Sequence, residues 1–479
     1  MWHSEGFTRQ MLYGAQTPTT TPTTTPFTSQ IPTLTVKKHP EGSRPAIVST
    51  MRFPAFGAHV VRSFIEYHRK VGFVRLYLFF DDPTDSAIQI AQTYSKSLVT
   101  VIVHDDALAQ QWKECYSYHN LAPFVADEVQ ARQHLNCEIA MKLALLENQN
   151  QIQIQNQIDW LLHIDSDELF YTKETSVLGH FQSLWNDDVY QMTYMNHEGI
   201  PEGNININED GIDYFQNITL FRRHHLDVPL NSPSKKAMEY WESRTQHGQY
   251  MLCYDNGKSV CRVVEGARPA SVHSWILPSS TTTKITMQSK TALVDPRNLN
   301  LQKIRKCSDP CILHYVVCGL PWLKSKYEML GAFQDAWFGG RLPIAPSFHL
   351  DARDALLNNN IESIWNSQVI FQNEEILQEH LDTGVLLRLV KPREVLLGRK
   401  EVVLAKATLK KGESKKTMAE SKKKNQTQSE GERKARDGDK SDTSKAKNMQ
   451  DNPLKKETTA DEFTYSKAWM MSQAVQNFL

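Results

Sequence analysis

An α/β fold with a mixed, mostly parallel sheet flanked by helices is what this sequence predicts over residues 44–395. Three observations carry that expectation. Short apolar runs alternate with helix-length amphipathic segments between residues 45 and 106, and a β-α-β-α-β alternation implies parallel strands joined by crossover helices. A further apolar run ends abruptly in acids at 160–171, WLLHIDSDELFY. The length of 479 residues at 40% hydrophobic content is enough for one large core or two ordinary ones.

Pro45 to Thr50 reads as the first strand. HVVRSFIEYHRKVG at 59–72 follows as a helix, because Val61, Phe64, Ile65 and His68 share one face and Gly72 supplies a C-terminal stop. VRLYLFF at 74–80 is the second strand and DDPTD at 81–85 a turn. A helix to about Tyr94 and the strand LVTVIVHDD at 98–106 complete the alternation. The helix ARQHLNCEIAMKLALLE at 131–147 carries Leu135, Ile139, Leu143 and Leu146 as its core stripe. NQNQIQIQNQ at 148–157 is a Gln/Asn insertion read as a loop. VYQMTYM at 189–195 is a strand running into MNHEGIP.

The flanks have a different composition. Residues 1–43 hold the tract TPTTTPTTTPFTS, which cannot bury apolar surface and is expected to be disordered. Residues 396–465 form a Lys-rich tail, also expected to be disordered, and at 466–479 Ala468, Met471, Val475 and Phe478 recur at helical spacing. With 54 Lys and Arg against 54 Asp and Glu, the chain has no net field to favour nucleic acid, and no nucleic-acid module is recognisable. No run reaches the roughly 20 apolar residues of a membrane span, and the start lacks a signal-peptide pattern. Asn217-Ile218-Thr219 is a sequon that only the secretory pathway would fill. Seven cysteines argue against a disulfide scaffold. Cys307, Cys311 and Cys318 with His314 do not have finger spacing, and Cys253 with Cys261 leaves a local bridge open.

The acidic segment is the candidate site. Ile158, Trp160, Leu161, Leu162 and Ile164 read as a buried strand, and period-two alternation puts His163, Asp165 and Asp167 on one face with Glu168 on the other. Acids just past a strand's carboxyl end lie where open α/β sheets bind ligands, and paired Asp oxygens suit Mn²⁺ or Mg²⁺. An Asp pair after a strand is equally a turn or helix cap. A haloacid-dehalogenase-type phosphotransferase also begins with Asp-x-Asp, but it expects Thr soon after the second Asp, where Glu168 and Leu169 stand.

Seven segments, in order, extend this reading: IEYHRKVGF at 65–73, FFDDPTD at 79–85, RQHLN at 132–136, HIDSDELF at 163–170, NGKSVCR at 256–262, VHSW at 272–275 and LHY at 313–315. Through them, over roughly residues 46–330, the chain resembles family 92 glycosyltransferases and the related family-2-like enzymes that share the GT-A fold. The resemblance implies a GT-A type Rossmann-like sheet and metal-dependent transfer of a hexose from a nucleotide sugar, UDP-linked by preference, to a glycan or glycoconjugate with inversion. A catalytically inactive glycan-binding or scaffold protein on the same fold is the alternative. It also implies the Golgi lumen, although no anchor is legible, so that a cytoplasmic location stays open.

Residue by residue, the resemblance makes Asp167 a metal ligand and Asp165 an indirect ligand or ribose contact, with Mn²⁺ or Mg²⁺ as the ion. His273 is the family-matched third ligand and His314 its competitor; a hydrogen-bonded core histidine is the plainer reading of either. Asp82 and Asp85 would meet the nucleoside, or simply cap the turn. Arg132, Gln133 and Asn136 would meet donor phosphate or sugar at a helix N-terminus, or cap that helix. Lys258 and Arg262 would balance diphosphate charge, or stand exposed on a strand pair. Glu198 is the candidate base on the acceptor side, with Asp210 and Asp213 as fallbacks, and an ordinary loop acid is the competing reading. One departure stands out: STMRFPAFG at 49–57 keeps Arg52 but places Phe53 and Pro54 where the family has an amide and an acid.

Overall fold

The computed structural model describes residues 43–150, 157–203, 212–277, 302–305, 309–344 and 347–398. The strands in chain order are β1 Pro45–Met51, β2 Arg75–Phe80, β3 Val99–Val103, β4 Trp160–His163, β5 Glu168–Tyr171, β6 Gln191–Tyr194, β7 Asn196–Gly199 and β8 Leu220–Arg222. They continue with β9 Lys258–Arg262, β10 Arg268–Ser271, β11 Ser274–Ile276, β12 Gln302–Arg305, β13 Cys311–His314, the short pair β14 Ala336–Trp337 and β15 Leu342–Pro343, and β16 Leu386–Arg388.

Seven strands form one sheet in the order β12-β6-β9-β4-β1-β2-β3. The pairs β1/β2, β2/β3, β1/β4 and β12/β6 are parallel, while β9 runs antiparallel to both β4 and β6. This is the mixed, mostly parallel α/β sheet that the sequence predicts. Every residue of β1 is buried, Ser49 and Thr50 included, which suits its central place between β2 and β4. A second sheet, β16-β8-β7-β13-β5, takes the chain onward from the acidic segment.

The Val60–Val71 helix buries Val61, Phe64, Ile65 and His68 as expected and ends at Gly72, whose φ of 115° is open to glycine. His68 is locked inside: Nδ1 donates to the Phe64 carbonyl at 2.9 Å and Nε2 accepts from the Phe170 N–H at 3.2 Å. The long helix runs Val129–Asn150, so Asn148 to Asn150 continue it rather than opening a loop; residues 151–156 lie outside the described residues. Asn148 clips the return, accepting from the Ile158 N–H at 2.7 Å and donating to its carbonyl at 2.8 Å. Burial along the helix stops at Ala144, and Leu146, expected in the stripe, is 53% exposed.

Cys253 and Cys261 are free thiols, so the local bridge does not form; Cys311 and Cys318 are buried and free, and Cys307 is outside the described residues. The Thr/Pro tract, residues 399–465 of the Lys-rich tail and the helically spaced segment at 466–479 are outside them too, whereas Leu396 and Leu397, assigned to the tail from the sequence, belong to the helix Lys391–Leu397. Among the described residues no helix is long and apolar enough to cross a membrane.

Candidate functional site

Strands β1, β2 and β4 run in parallel register, so the residues that follow them gather at one edge of the sheet. These are Arg52 after β1, Asp81 after β2 and the Ile164–Asp167 turn after β4. The first turns of the Val129–Asn150 helix lie against this edge. Arg132 makes a bidentate pair with Asp81, Nε to Oδ1 at 2.6 Å and Nη2 to Oδ2 at 2.7 Å. Gln133 donates to Asp165 Oδ1 at 2.7 Å. Asn136 donates to Thr50 Oγ1 at 2.9 Å and accepts from Trp112 Nε1 at 2.9 Å. All three side chains reach toward the sheet edge, but Arg132 and Asn136 are already satisfied by the protein, and of the three Gln133 alone reaches the acidic turn.

The turn itself is a pair of carboxylate–ammonium contacts. Lys258, its side chain 1% exposed at the start of β9, donates to Asp165 Oδ2 at 2.7 Å and stands 3.8 Å from Glu168 Oε2. Burial pushes the Asp165 carboxyl up, but Lys258 and then His163 outweigh it and bring it down to about 2. Glu168 does not face away: its Oε2 accepts from the Asp165 N–H at 2.8 Å and its Oε1 from the Tyr254 hydroxyl. Alternation fails here because β4 stops at His163 and β5 starts at Glu168 in the other sheet, so the acids sit on a turn. His163 is buried, its Nδ1 donating to the Val272 carbonyl at 2.8 Å.

Asp167 has a separate ammonium. Lys326, from the Leu320–Leu330 helix, donates to Asp167 Oδ2 at 2.9 Å and to the Val316 carbonyl at 3.3 Å. His314 Nε2 is 3.8 Å from the same oxygen, and its buried Nδ1 has no hydrogen-bond partner. Burial raises the Asp167 carboxyl, yet Lys326 and His314 together hold it well below the carboxylate range. His314 arrives here because β13 pairs antiparallel with β5, placing it opposite Glu168. His273, the family-matched ligand, instead occupies the β10–β11 turn and donates Nδ1–H to the Gly257 carbonyl at 2.7 Å. Tyr254 stands between the two rings, 4.8 Å from His273 and 4.9 Å from His314. Of the two histidines, His314 is the one whose ring nitrogen stands beside an Asp167 oxygen.

Among the described residues no three His, Cys, Asp or Glu side chains group as metal ligands. Asp167 Oδ2 and His314 Nε2 do fit as two ligands of one ion, since donor atoms each about 2.0–2.2 Å from a metal can lie 3.8 Å apart. The chain thus offers two donors.

The other predicted residues have other partners. Asp82 accepts from the Thr84 N–H at 2.8 Å and hydroxyl at 2.7 Å, while Asp85 accepts from the N–H groups of Phe53 and Ala87, both at 2.8 Å. Both acids shape a turn, and Asp85 ties down Phe53, the apolar substitute noted in the sequence. Arg52 is exposed, and its charge adds to the Thr84 bonds that lower Asp82. Lys258 and Arg262 do not act together: β9 opposes β4, so Arg262 pairs with Trp160 at the far edge and packs 4.3 Å from the Trp185 and Tyr190 rings. Glu198 is not in a loop but in β7, 1% exposed, accepting from the N–H groups of Leu252 and Cys253 at 2.9 Å each. Asp213 caps a short helix and accepts from Gln216 at 2.7 Å. Asp210 lies outside the described residues.

No family model matches the chain. It is similar to an Arabidopsis thaliana protein named glycosyltransferase-like At2g41451, 22% identical over 382 residues that span 75% of this chain and 73% of the relative. A second Arabidopsis thaliana relative, glycosyltransferase-like At3g57200, is 24% identical over 244 residues, 48% of this chain and 43% of the relative. Among solved structures, the S. cerevisiae mannosyltransferase Ktr4p aligns at 12% identity over 34% of this chain and 41% of that one, with a TM-score of 0.20, too loose a superposition to carry structural inference.

Four residues at this edge escaped the sequence reading as functional groups: Asp81, Glu168, Tyr254 and Lys326. Alternation puts Glu168 on the opposite face, and Asp81 heads the DDPTD turn with nothing local to set it apart from Asp82 and Asp85. Lys326 lies 159 residues from Asp167 on an amphipathic helix where one lysine looks like any other, so nothing local marks it.

Proposed function

We propose that this chain is a GT-A glycosyltransferase of the family-92-like kind, moving a hexose from a nucleotide sugar to a glycan or glycoconjugate. The observation that carries the reading is the Asp165–Asp167 turn at the carboxyl edge of the parallel strands, where two ammonium groups and an unsatisfied histidine converge. An anionic donor with a divalent cation matches that charge set. Similarity to the glycosyltransferase-like relatives agrees with it.

Asp167 and His314 would hold Mn²⁺ or Mg²⁺, which when bound supplies Lewis-acid neutralisation of the departing nucleoside diphosphate. The remaining groups act by position. Lys258 and Gln133 fix both oxygens of Asp165, so that this carboxylate is ionised and held in one orientation toward the donor ribose. An inverting course, the norm of the resembled family, needs a carboxylate to take the acceptor proton. Glu198 is committed to backbone N–H groups and Asp213 to the Phe215 N–H and Gln216, so of the three sequence candidates Asp210 is the one we propose as base.

A donor-hydrolysis screen over nucleotide sugars, with and without Mn²⁺, tests the reading on the full chain. Turnover of at least one nucleotide sugar, lost in Asp167→Asn with the melting temperature held, is the expected result. A specific observation favours the second reading, a non-catalytic glycan-binding protein: both aspartates already carry a protein ammonium. Binding of glycans without hydrolysis of any donor would select it.

A further inference from the structure

The two ammonium groups are not equivalent. Lys258 is 1% exposed and lies between Asp165 at 2.7 Å and the fully buried Glu168 at 3.8 Å, so moving it would strand one buried acid and unpair a second, partly exposed one. Lys326 is 28% exposed, bonds one carboxylate oxygen at 2.9 Å and has only a 3.3 Å contact to Val316 as a second partner. A long side chain that is a quarter exposed can swing into solvent-facing space without opening the core. The oxygen that Lys326 occupies, Asp167 Oδ2, is also the one 3.8 Å from His314 Nε2. A cation bound to Oδ2 and Nε2, about 2.1 Å from an oxygen that is 2.9 Å from the ammonium, would sit within about 5 Å of that ammonium, and the two like charges repel.

We infer that Lys326 is an exchangeable stand-in for the cation: it and the divalent ion compete for Asp167 Oδ2, so that binding of the ion to Asp167 and His314 displaces the ammonium, which then pairs with the diphosphate of the donor. The exchange moves one ammonium from carboxylate to phosphate and breaks no covalent bond. It makes cation and lysine competitors before the donor binds and allies once it is bound. Lys258, by contrast, is a fixed support. This inference rests on the nucleotide-sugar reading above.

Calorimetry on the full chain tests it, with Mn²⁺ alone and then UDP or GDP in excess Mn²⁺ as the probes. Lys326→Met should bind Mn²⁺ alone about tenfold more tightly than the wild type, because no ammonium competes for Oδ2. The same variant should bind the nucleoside diphosphate about tenfold more weakly, because the released charge is missing. Lys326→Arg keeps the charge and should leave the Mn²⁺ affinity near that of the wild type; its melting temperature controls for folding. Unchanged or weaker Mn²⁺ binding in Lys326→Met would overturn the exchange. So would nucleotide binding in EDTA that depends on Lys326, since the lysine would then replace the ion outright, with the nucleotide-sugar reading intact. Failure of either nucleotide to bind any form would remove that reading and the exchange together.

Discussion

Replacing Glu198 with Ala separates a structural acid from a catalytic base. The Glu198 side chain is 1% exposed; its Oε2 accepts from the Leu252 N–H and its Oε1 from the Cys253 N–H, each at 2.9 Å, and Arg222 lies 3.7 Å from Oε2 with its own side chain 1% exposed. Truncation leaves two N–H donors and one guanidinium without their anion. An unsatisfied buried donor costs about 1–3 kcal/mol, and breaking a buried ion pair from one side costs about 3–5 kcal/mol. These overlap, so about 3–5 kcal/mol is expected in total, a large share of the roughly 5–15 kcal/mol that keeps a domain folded. Glu198→Gln keeps the shape and one acceptor but turns an amide N–H₂ toward a backbone donor, and should fall between. Urea unfolding of the wild type and both variants gives the stability, and donor turnover at saturating substrate, measured where each variant is folded, gives the chemistry. The structural role predicts a lowered urea midpoint with turnover per folded molecule near that of the wild type. Wild-type stability in Glu198→Ala together with lost turnover would refute the argument and return Glu198 to the acceptor side.

Gly257 has φ of +69°, and a Cβ there would lie 2.1 Å from the Tyr194 carbonyl oxygen, so Gly257→Ala should destabilise by about 2–4 kcal/mol and disturb Lys258 next to it; a urea midpoint like that of the wild type would contradict this. Lys258→Met leaves Asp165 and Glu168 unpaired and should cost about 3–5 kcal/mol at neutral pH. The Asp165 contribution has a definite sign. Its folded value, about 2, lies below the ordinary 3.8, so the stabilisation is present above pH 4 and fades as pH falls toward 2; a Lys258→Met deficit equally large at pH 2 and pH 7 would speak against the pairing. Burial pulls His68, His134, His197 and His273 down to about 3, so each favours the fold above pH 6.5 and opposes it as pH falls toward 3. At pH 4 one such group costs about 3 kcal/mol, and circular dichroism should show unfolding between pH 6 and 4; a signal constant down to pH 4 would rule this out.

The fold was legible because its signals are local. The apolar stripe of the Val60–Val71 helix, its stop at Gly72 and the largely apolar β1 and β2 each state their own environment, and the parallel order follows from their alternation. The acidic turn was found the same way, as an apolar strand running into carboxylates. What stayed hidden are the partners, because those are set by the packing of elements far apart in sequence. Period-two reasoning assigned Glu168 to the wrong face since nothing in HIDSDELF says that the strand ends at His163 and the chain changes sheets. The same gap explains the histidines: His273 sits in the better-matched segment, but the antiparallel pairing of β13 with β5 is what carries His314 to Asp167.

Charge shows the limit most clearly. From the sequence, Lys258 and Arg262 form a basic pair four residues apart that suits a diphosphate. In the fold, β9 spans the sheet antiparallel to β4, and a strand rises about 3.3 Å per residue, so four residues separate the two cations by roughly 13 Å and send them to opposite edges. The second cation of the site comes instead from Lys326, on a helix that no motif links to the acids. A site assembled at a sheet edge draws its acids from strand ends, which the sequence marks with an abrupt change from apolar to charged. It draws its counter-charges from whichever helix packs across that edge, and a lysine there satisfies the same amphipathic pattern as a lysine in solvent. Carboxylates at strand ends can therefore be read one segment at a time, whereas their ammonium partners become visible only when two segments are brought together.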